Sequence, residues 1–228
     1  MIYYRVKMDV YTAIKKRRDV RSWFSNEKIP DEIISKILMA GNYAPSVGLS
    51  QPWNFIIIKD IDIRKKIKSI VDKKRIDFYN SLPYNKKNKF ERIKIEGILE
   101  SYINIAVTCD FSRKGPDIIG RSTIRETSEY SVVLAIENMW LAARSENIGM
   151  GWVSFFDPED VKDVLKIPES IKLIAYLTLG KLTEDHDIPE LEEKNWEKRN
   201  NLSEYVFMDR WGNNPDKSFC DLIKNTKL

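Results

Sequence analysis

Two stretches of the chain, YINIAVTCD (102–110) and IKLIAYLTLG (171–180), are apolar for the full length of a strand. A strand with no polar face has nothing to show water, so it needs cover on both sides. FIIIK (55–59) reads as a third buried strand and GWVSFF (151–156) as a fourth. This requirement for two-sided cover narrows the possible folds more than any other feature.

The cover is present in the segments between. Asp9 is a helix N-cap ahead of a helix over 9–18. PDEIISKILMAGNY (30–43) opens with proline and acidic residues, and its isoleucines and leucine recur on one face. A long basic helix is expected over 61–79, another over 86–101, and a short one over PEDVKDVLKI (158–167). The clearest runs over 127–147, where Val132, Ala135, Ile136, Met139, Trp140 and Ala143 repeat at helical spacing. Gly149 follows it as the expected C-cap glycine. Residues 44–53 and 111–126 read as loops. Helices alternating with buried strands imply a layered α/β or α+β fold. No repeat or linker marks a second domain, so one domain over 1–228 is expected. The polar tail from about 181, with aromatics at Trp196, Tyr205, Phe207 and Trp211, is expected to pack on a partner subunit.

Several function classes drop out. Basic clusters such as KKRR (15–18) and KKNK (86–89) invite a nucleic-acid reading, but 38 basic residues face 34 acidic ones, an excess of only four. No zinc-finger spacing or RNA-binding strand motif accompanies them, so no nucleic-acid partner is expected. No apolar run approaches the roughly 20 residues that span a bilayer. The opening MIYYRVKMDVYTAIKK lacks a secretory apolar core, and a cytoplasmic protein is expected. Cys109 and Cys220 follow no metal or redox spacing, and Cys109 ends an apolar stretch as a buried small hydrophobe would. His186 is the one histidine and lies in a polar loop. No metal site and no Ser-His-Asp triad can be built from that, so the difficult chemistry of an enzyme would fall to an organic cofactor.

The segment RRDVRSWF (17–24) sets Arg17, Arg18 and Arg21 around Asp19. Arginine binds phosphate through a planar fork and stays charged at any relevant pH. Two of the three could clamp one phosphate; the alternative is a solvated basic helix end that complements the helix dipole. In APSVGLSQPW (44–53), small residues beside Ser46 and Gly48 allow close approach to a flat ligand, or simply make a helix-to-strand turn. GMGWVS has a GxG but no GxGxxG, which reads as a glycine-rich turn entering a strand.

Together these pieces resemble the FMN-dependent nitroreductase superfamily, and within it the 5,6-dimethylbenzimidazole synthase branch. RRDVRSWF, APSVGLSQPWNFI, KIEGILESYINIAVTCD, YSVVLAIENMWLAARSENIGMGWVSFF and VFMDRWG stand in the family's order, from about residue 11 to 212. Asp19 in RRDVR and the serine of GWVS are the features that resemble the synthase branch. The resemblance implies an α+β sandwich with a central, mostly antiparallel sheet, dimeric, with FMN held at the subunit interface. It implies that Arg17, Arg18 and Arg21, with Val20 between them, hold the phosphate and ribityl end, and that Pro45 and Ser46 lie against the flavin. Trp152 and Val153 would run along the ring edge, and Arg210 is a further phosphate candidate. In that branch reduced FMN reacts with O2 and is fragmented to 5,6-dimethylbenzimidazole and erythrose 4-phosphate, with a separate flavin reductase supplying the reduced FMN. Asp19 would be the catalytic base and Ser154 a catalytic hydrogen-bonding group. Neighbouring arginines would lower the Asp19 pKa while burial would raise it. The segments 80–92 and 111–126 are lid candidates. A nitroreductase using NAD(P)H on quinones or nitro compounds is the alternative.

Overall fold

A computed structural model describes residues 8–25 and 27–228. Residues 1–7 of the opening segment read for a targeting signal therefore lie outside the described residues. The chain runs α1 (Val10–Lys16), β1 (Phe24–Ser25), α2 (Asp31–Asn42), β2 (Trp53–Ile58), α3 (Ile61–Ser81), α4 (Tyr84–Glu91) and β3 (Ile103–Cys109). It continues with α5 (Thr127–Ser145), β4 (Ile148–Val153), α6 (Pro158–Leu165), β5 (Lys172–Leu182), α7 (Glu190–Glu193) and α8 (Lys217–Asn225).

β5 is the organising strand. β3 and β4 flank it, β2 lies beyond β3, and β1 pairs with its last residues; every ladder is antiparallel. Along β3 the side chains alternate between two cores. Ile103, Ile105, Val107 and Cys109 face the core shared with α2 and α5, whereas Ala106 faces the core shared with α3 and α6. β5 does the same, with Ala175, Leu177 and Leu179 on one side and Leu173 and Tyr176 on the other. Both runs thus receive the two-sided cover their composition demanded. The fold is an α+β sandwich of helices on both faces of an antiparallel sheet.

Four local expectations change. FIIIK belongs to an edge strand, so β2 is only half covered and Ile57 is exposed. The helix expected over 86–101 ends at Glu91. Beyond it Ile93 and Ile95 are buried in alternation, and the Arg64 guanidinium of α3 takes the carbonyls of Ile98 (2.9 Å) and Ser101 (2.6 Å). Those acceptors hold the segment in an irregular path. GWVSFF is strand only through Val153, and Ser154 is exposed past its end. Gly149 lies inside β4, and Asn147, at φ 61°, takes the left-handed position after α5.

Candidate active site

The segment after α1 lies across β4. The Val20 N–H donates to the Met150 carbonyl at 3.0 Å, and Asp19 makes a parallel bridge with Met150. Two glycines make this approach possible. A Cβ on Gly149 would stand 2.6 Å from Leu182 and 3.2 Å from Val20; one on Gly151 would fall onto the Val20 carbonyl oxygen. GMG is therefore a strand with a bare face, not a turn. Trp140 of α5 completes the joint, its indole N–H donating to the carbonyls of Met150 (3.0 Å) and Arg18 (3.1 Å).

This joint fixes Asp19. Its Oδ1 accepts the Trp152 N–H at 2.9 Å and its Oδ2 pairs with Arg21 at 2.5 Å. The crowding of protein atoms pushes its carboxyl above the usual range, outweighing the opposing pull of Arg21, the Trp152 N–H and Arg17. Crowding by protein atoms thus outweighs the ion pair, although the Asp19 side chain keeps 35% of its surface exposed. Arg21 also donates to the Trp152 carbonyl at 3.2 Å, and its Nε is buried without an acceptor.

Arg21 and Ser154 open on one pocket of about 220 Å³. Phe78, Phe90, Phe155 and Trp196 wall it, and Lys94 adds a second cation. The rings pack edge to face, Phe78 lying 5.1 Å from Phe90 and 5.3 Å from Phe155 between centroids. A flat ligand with acceptor atoms at one edge is the shape and chemistry such a pocket takes.

The other arginines point elsewhere. Arg17 stacks over the Trp140 ring at 4.9 Å, with Glu137 3.6 Å from its Nε. Arg18 donates to the carbonyls of Lys15 (2.7 Å), Arg17 (2.6 Å) and Asp187. Val20 and Val153 are buried, Val153 in the α3–α6 core. Trp152 is half-buried, 6.4 Å from the Trp140 ring.

Pro45 and Ser46 sit at the far end of α5. Ser46 Oγ accepts the Gln51 N–H at 3.1 Å, and the next residue, Val47, donates to Ser131 Oγ at 3.0 Å. Ser131 and Trp140 are nine residues apart on one helix, about 14 Å along its axis. Within one chain, then, this loop and the arginine segment occupy separate stations on α5. Lys114 reaches the Leu49 carbonyl at 2.5 Å, so the 111–126 loop is fastened to the Pro45 loop, whereas 80–92 reaches the pocket through Phe90. Arg210 is exposed in the tail. Trp196 packs on Phe90 of its own chain, 6.2 Å between centroids.

Sequence reading missed Lys94, the aromatic walls and the positioning role of Trp140. The available signal was Phe78 and Phe90 in otherwise basic helical stretches, where nothing else asked for an aromatic ring. Cys109 is fully buried, its thiol pushed up to about 12 by burial. Among the described residues no helix is long and apolar enough to cross a membrane, and no group of three or more metal-ligating side chains is assembled.

The sequence profile of the Nitroreductase family matches residues 14–181. A 5,6-dimethylbenzimidazole synthase of Rhodospirillum rubrum is 38% identical over 183 residues, covering 80% of this chain and 86% of that protein. Among solved structures, a BluB-like flavoprotein from Clostridium difficile 630 superposes with a TM-score of 0.67 at 23% identity, covering 89% of this chain and all of that one. Oxidized iodotyrosine deiodinase bound to FMN and 3-iodo-L-tyrosine superposes with a TM-score of 0.65 at 24% identity, covering 78% of this chain and 92% of that one. At these identities the two structures speak for the fold alone.

Proposed function

The chain belongs to the nitroreductase family, and on that footing we propose that it is a 5,6-dimethylbenzimidazole synthase acting on reduced FMN with O2. The observation that carries the reading is Asp19, held between the Trp152 N–H and Arg21, whose guanidinium in turn lines the pocket that Ser154 shares. The 38% identity to a synthase over most of both chains favours this over an NAD(P)H-dependent nitroreductase.

The residues present fit FMN. Arg21 Nε is buried with no protein acceptor, and a flavin carbonyl edge or ribityl oxygen would satisfy it. The aromatic walls suit a planar ring system, and Lys94 and Ser154 offer donors at the same mouth. The pocket's 220 Å³ falls short of the roughly 300–1,000 Å³ of complete ligand sites, so one chain supplies only part of it. A second copy would bring its Pro45–Ser46 loop to complete the wall, which makes the active form a homodimer. Arg17 and Arg18, engaged with Trp140, Glu137 and main-chain carbonyls, are directed away from this pocket, which leaves Arg21 and Lys94 as its cations.

Bound in reduced form, FMN would supply the electrons for reaction with O2 and would itself be broken down, to 5,6-dimethylbenzimidazole and erythrose 4-phosphate. A separate flavin reductase would deliver it. Asp19 is the base. With Oδ1 on the Trp152 N–H, Oδ2 would be the atom free to accept a proton from the bound flavin once Arg21 turned to the ligand. The raised pKa suits this role, because a more basic carboxylate accepts a proton more readily. Ser154 Oγ, free on the pocket rim, hydrogen-bonds the ligand edge and fixes it against Asp19. The Phe78–Phe90–Phe155 wall excludes water from that corner.

The test mixes the protein with reduced FMN without oxygen, admits air, and seeks 5,6-dimethylbenzimidazole by mass. Its absence, with steady oxidation of NADPH instead, would transfer the assignment to the nitroreductase alternative.

A further inference from the structure

Behind the arginine segment, sharing no lining residue with the aromatic pocket, lies a small cavity that is partly open to solvent at Lys16 and Asp185. Its volume is about 10 Å³, room for one particle of water size. The walls carry Lys16, Arg17, Arg18 and Arg144, against the carboxylates of Glu184 and Asp185. His186 also lines it. Four fixed cations face two carboxylates, and Glu137, 3.6 Å from Arg17 Nε, offsets a third, which leaves one positive charge in excess.

Arg144 is the telling residue. Its side chain is 6% exposed, near the end of α5. Among the described residues only Nη2 is satisfied, by Asp185 at 2.7 Å, while Nε and Nη1 are buried with no partner. A guanidinium cannot shed its proton to escape this, so the two N–H directions need an acceptor that the protein does not provide. Arg18 Nε, in the same lining, is unpartnered among the described residues as well, whereas His186 faces Glu184 at 3.6 Å and Glu193 at 2.9 Å. Asp185 is already shared between Arg144 and Lys16, at 3.3 Å from the latter. Buried donors in excess, positive charge in excess and room for a single particle describe an acceptor that carries negative charge.

We propose that this cavity binds a monatomic anion, chloride, on Arg144 Nε and Nη1 beneath the Arg17–Arg18 segment. The ion would offset the cations that α1, α5 and the 184–186 strap bring together, and so hold the rear of the Asp19 joint. This does not rest on the flavin reading, and the experiment separates the two.

Full-length protein dialysed into gluconate is titrated with chloride at constant ionic strength, with and without saturating FMN. The expected result is a saturable rise in unfolding temperature of about 5–10 °C at a hundredfold excess over the dissociation constant, present in both series. Broadening of the 35Cl resonance should accompany it. Arg144→Lys should lose both effects. If that variant fails to fold, bromide-soaked crystals of the unaltered protein decide, and an anomalous peak at Arg144 is expected. A shift that FMN abolishes would assign the ion to a flavin phosphate site and overturn the proposal. So would no saturable shift, or density at Arg144 without anomalous signal, which is a buried water.

Discussion

Asp19 accepts the backbone N–H of Trp152 at 2.9 Å across 133 positions of sequence. That bond joins the segment after α1 to the end of β4, and the proposed chemistry depends on it.

Asp19→Asn keeps an acceptor for the Trp152 N–H but has no basic oxygen. FMN affinity should be unchanged while 5,6-dimethylbenzimidazole formation falls by at least ~10²-fold. Product yield by mass spectrometry, set beside a flavin titration, checks both halves.

The pH dependence follows from the raised pKa of Asp19. An acid whose folded pKa lies above its unfolded value, about 3.9, is fully favourable below that value, and the advantage is lost as pH rises through the folded pKa. Ionised Asp19 therefore weakens the fold at neutral pH. Asp19→Asn should melt higher than the parent at pH 7, the gap closing below about pH 4. Activity should rise through an apparent pKa above the ordinary aspartate value. Equal melting curves at both pH values would remove burial as the cause.

Arg21 makes the ion pair and has an unpartnered Nε in the pocket wall. Arg21→Ala should weaken reduced-FMN binding by about 1.5–3 kcal/mol, the worth of one hydrogen bond to a charged group. Isothermal titration reads this directly, and an unaltered affinity would place the ligand elsewhere.

Ser154 is exposed beyond the strand and makes no hydrogen bond that the fold needs. Ser154→Ala should leave the melting temperature within a degree or so, as surface changes do, yet lower product yield. Loss of stability without loss of yield would reverse the assignment.

Gly151→Ala would drive a methyl onto the Val20 carbonyl and to 2.8 Å from Thr178 Oγ1. Destabilisation of about 1–3 kcal/mol is expected from overpacking. Because the clash falls on the joint itself, FMN affinity should drop with it; denaturant unfolding and flavin titration together test this.

The sequence disclosed elements whose pattern was unambiguous. β3 and β5 were legible because apolar runs of that length leave few choices, and α5 because six core positions, Val132 to Ala143, repeat at helical spacing. The segment 92–101 was misread as helix because Arg92, Lys94, Glu96, Leu99 and Glu100 suit one. The decisive Arg64 contacts come from residues some 35 positions away, which a local pattern cannot register. Gly149 was read as a cap because glycine after a helix usually is one, while Asn147 holds the cap and Gly149 answers to Val20. The grouping of Asp19 with Arg21 was visible in three adjacent letters. That Arg18 would donate to main-chain carbonyls, and that Phe78, Phe90 and Trp196 would enclose one pocket, depended on tertiary packing alone.

The smooth face of β4 at Gly149 and Gly151 has a consequence for how such a catalyst can change. The seat it offers is gripped through main-chain atoms, Val20 N–H to Met150 carbonyl, so of the side chain at position 19 it asks only an acceptor for the Trp152 N–H. Reactivity at that spot is therefore interchangeable: a carboxylate, amide or hydroxyl could be swapped in without rebuilding the platform that presents it.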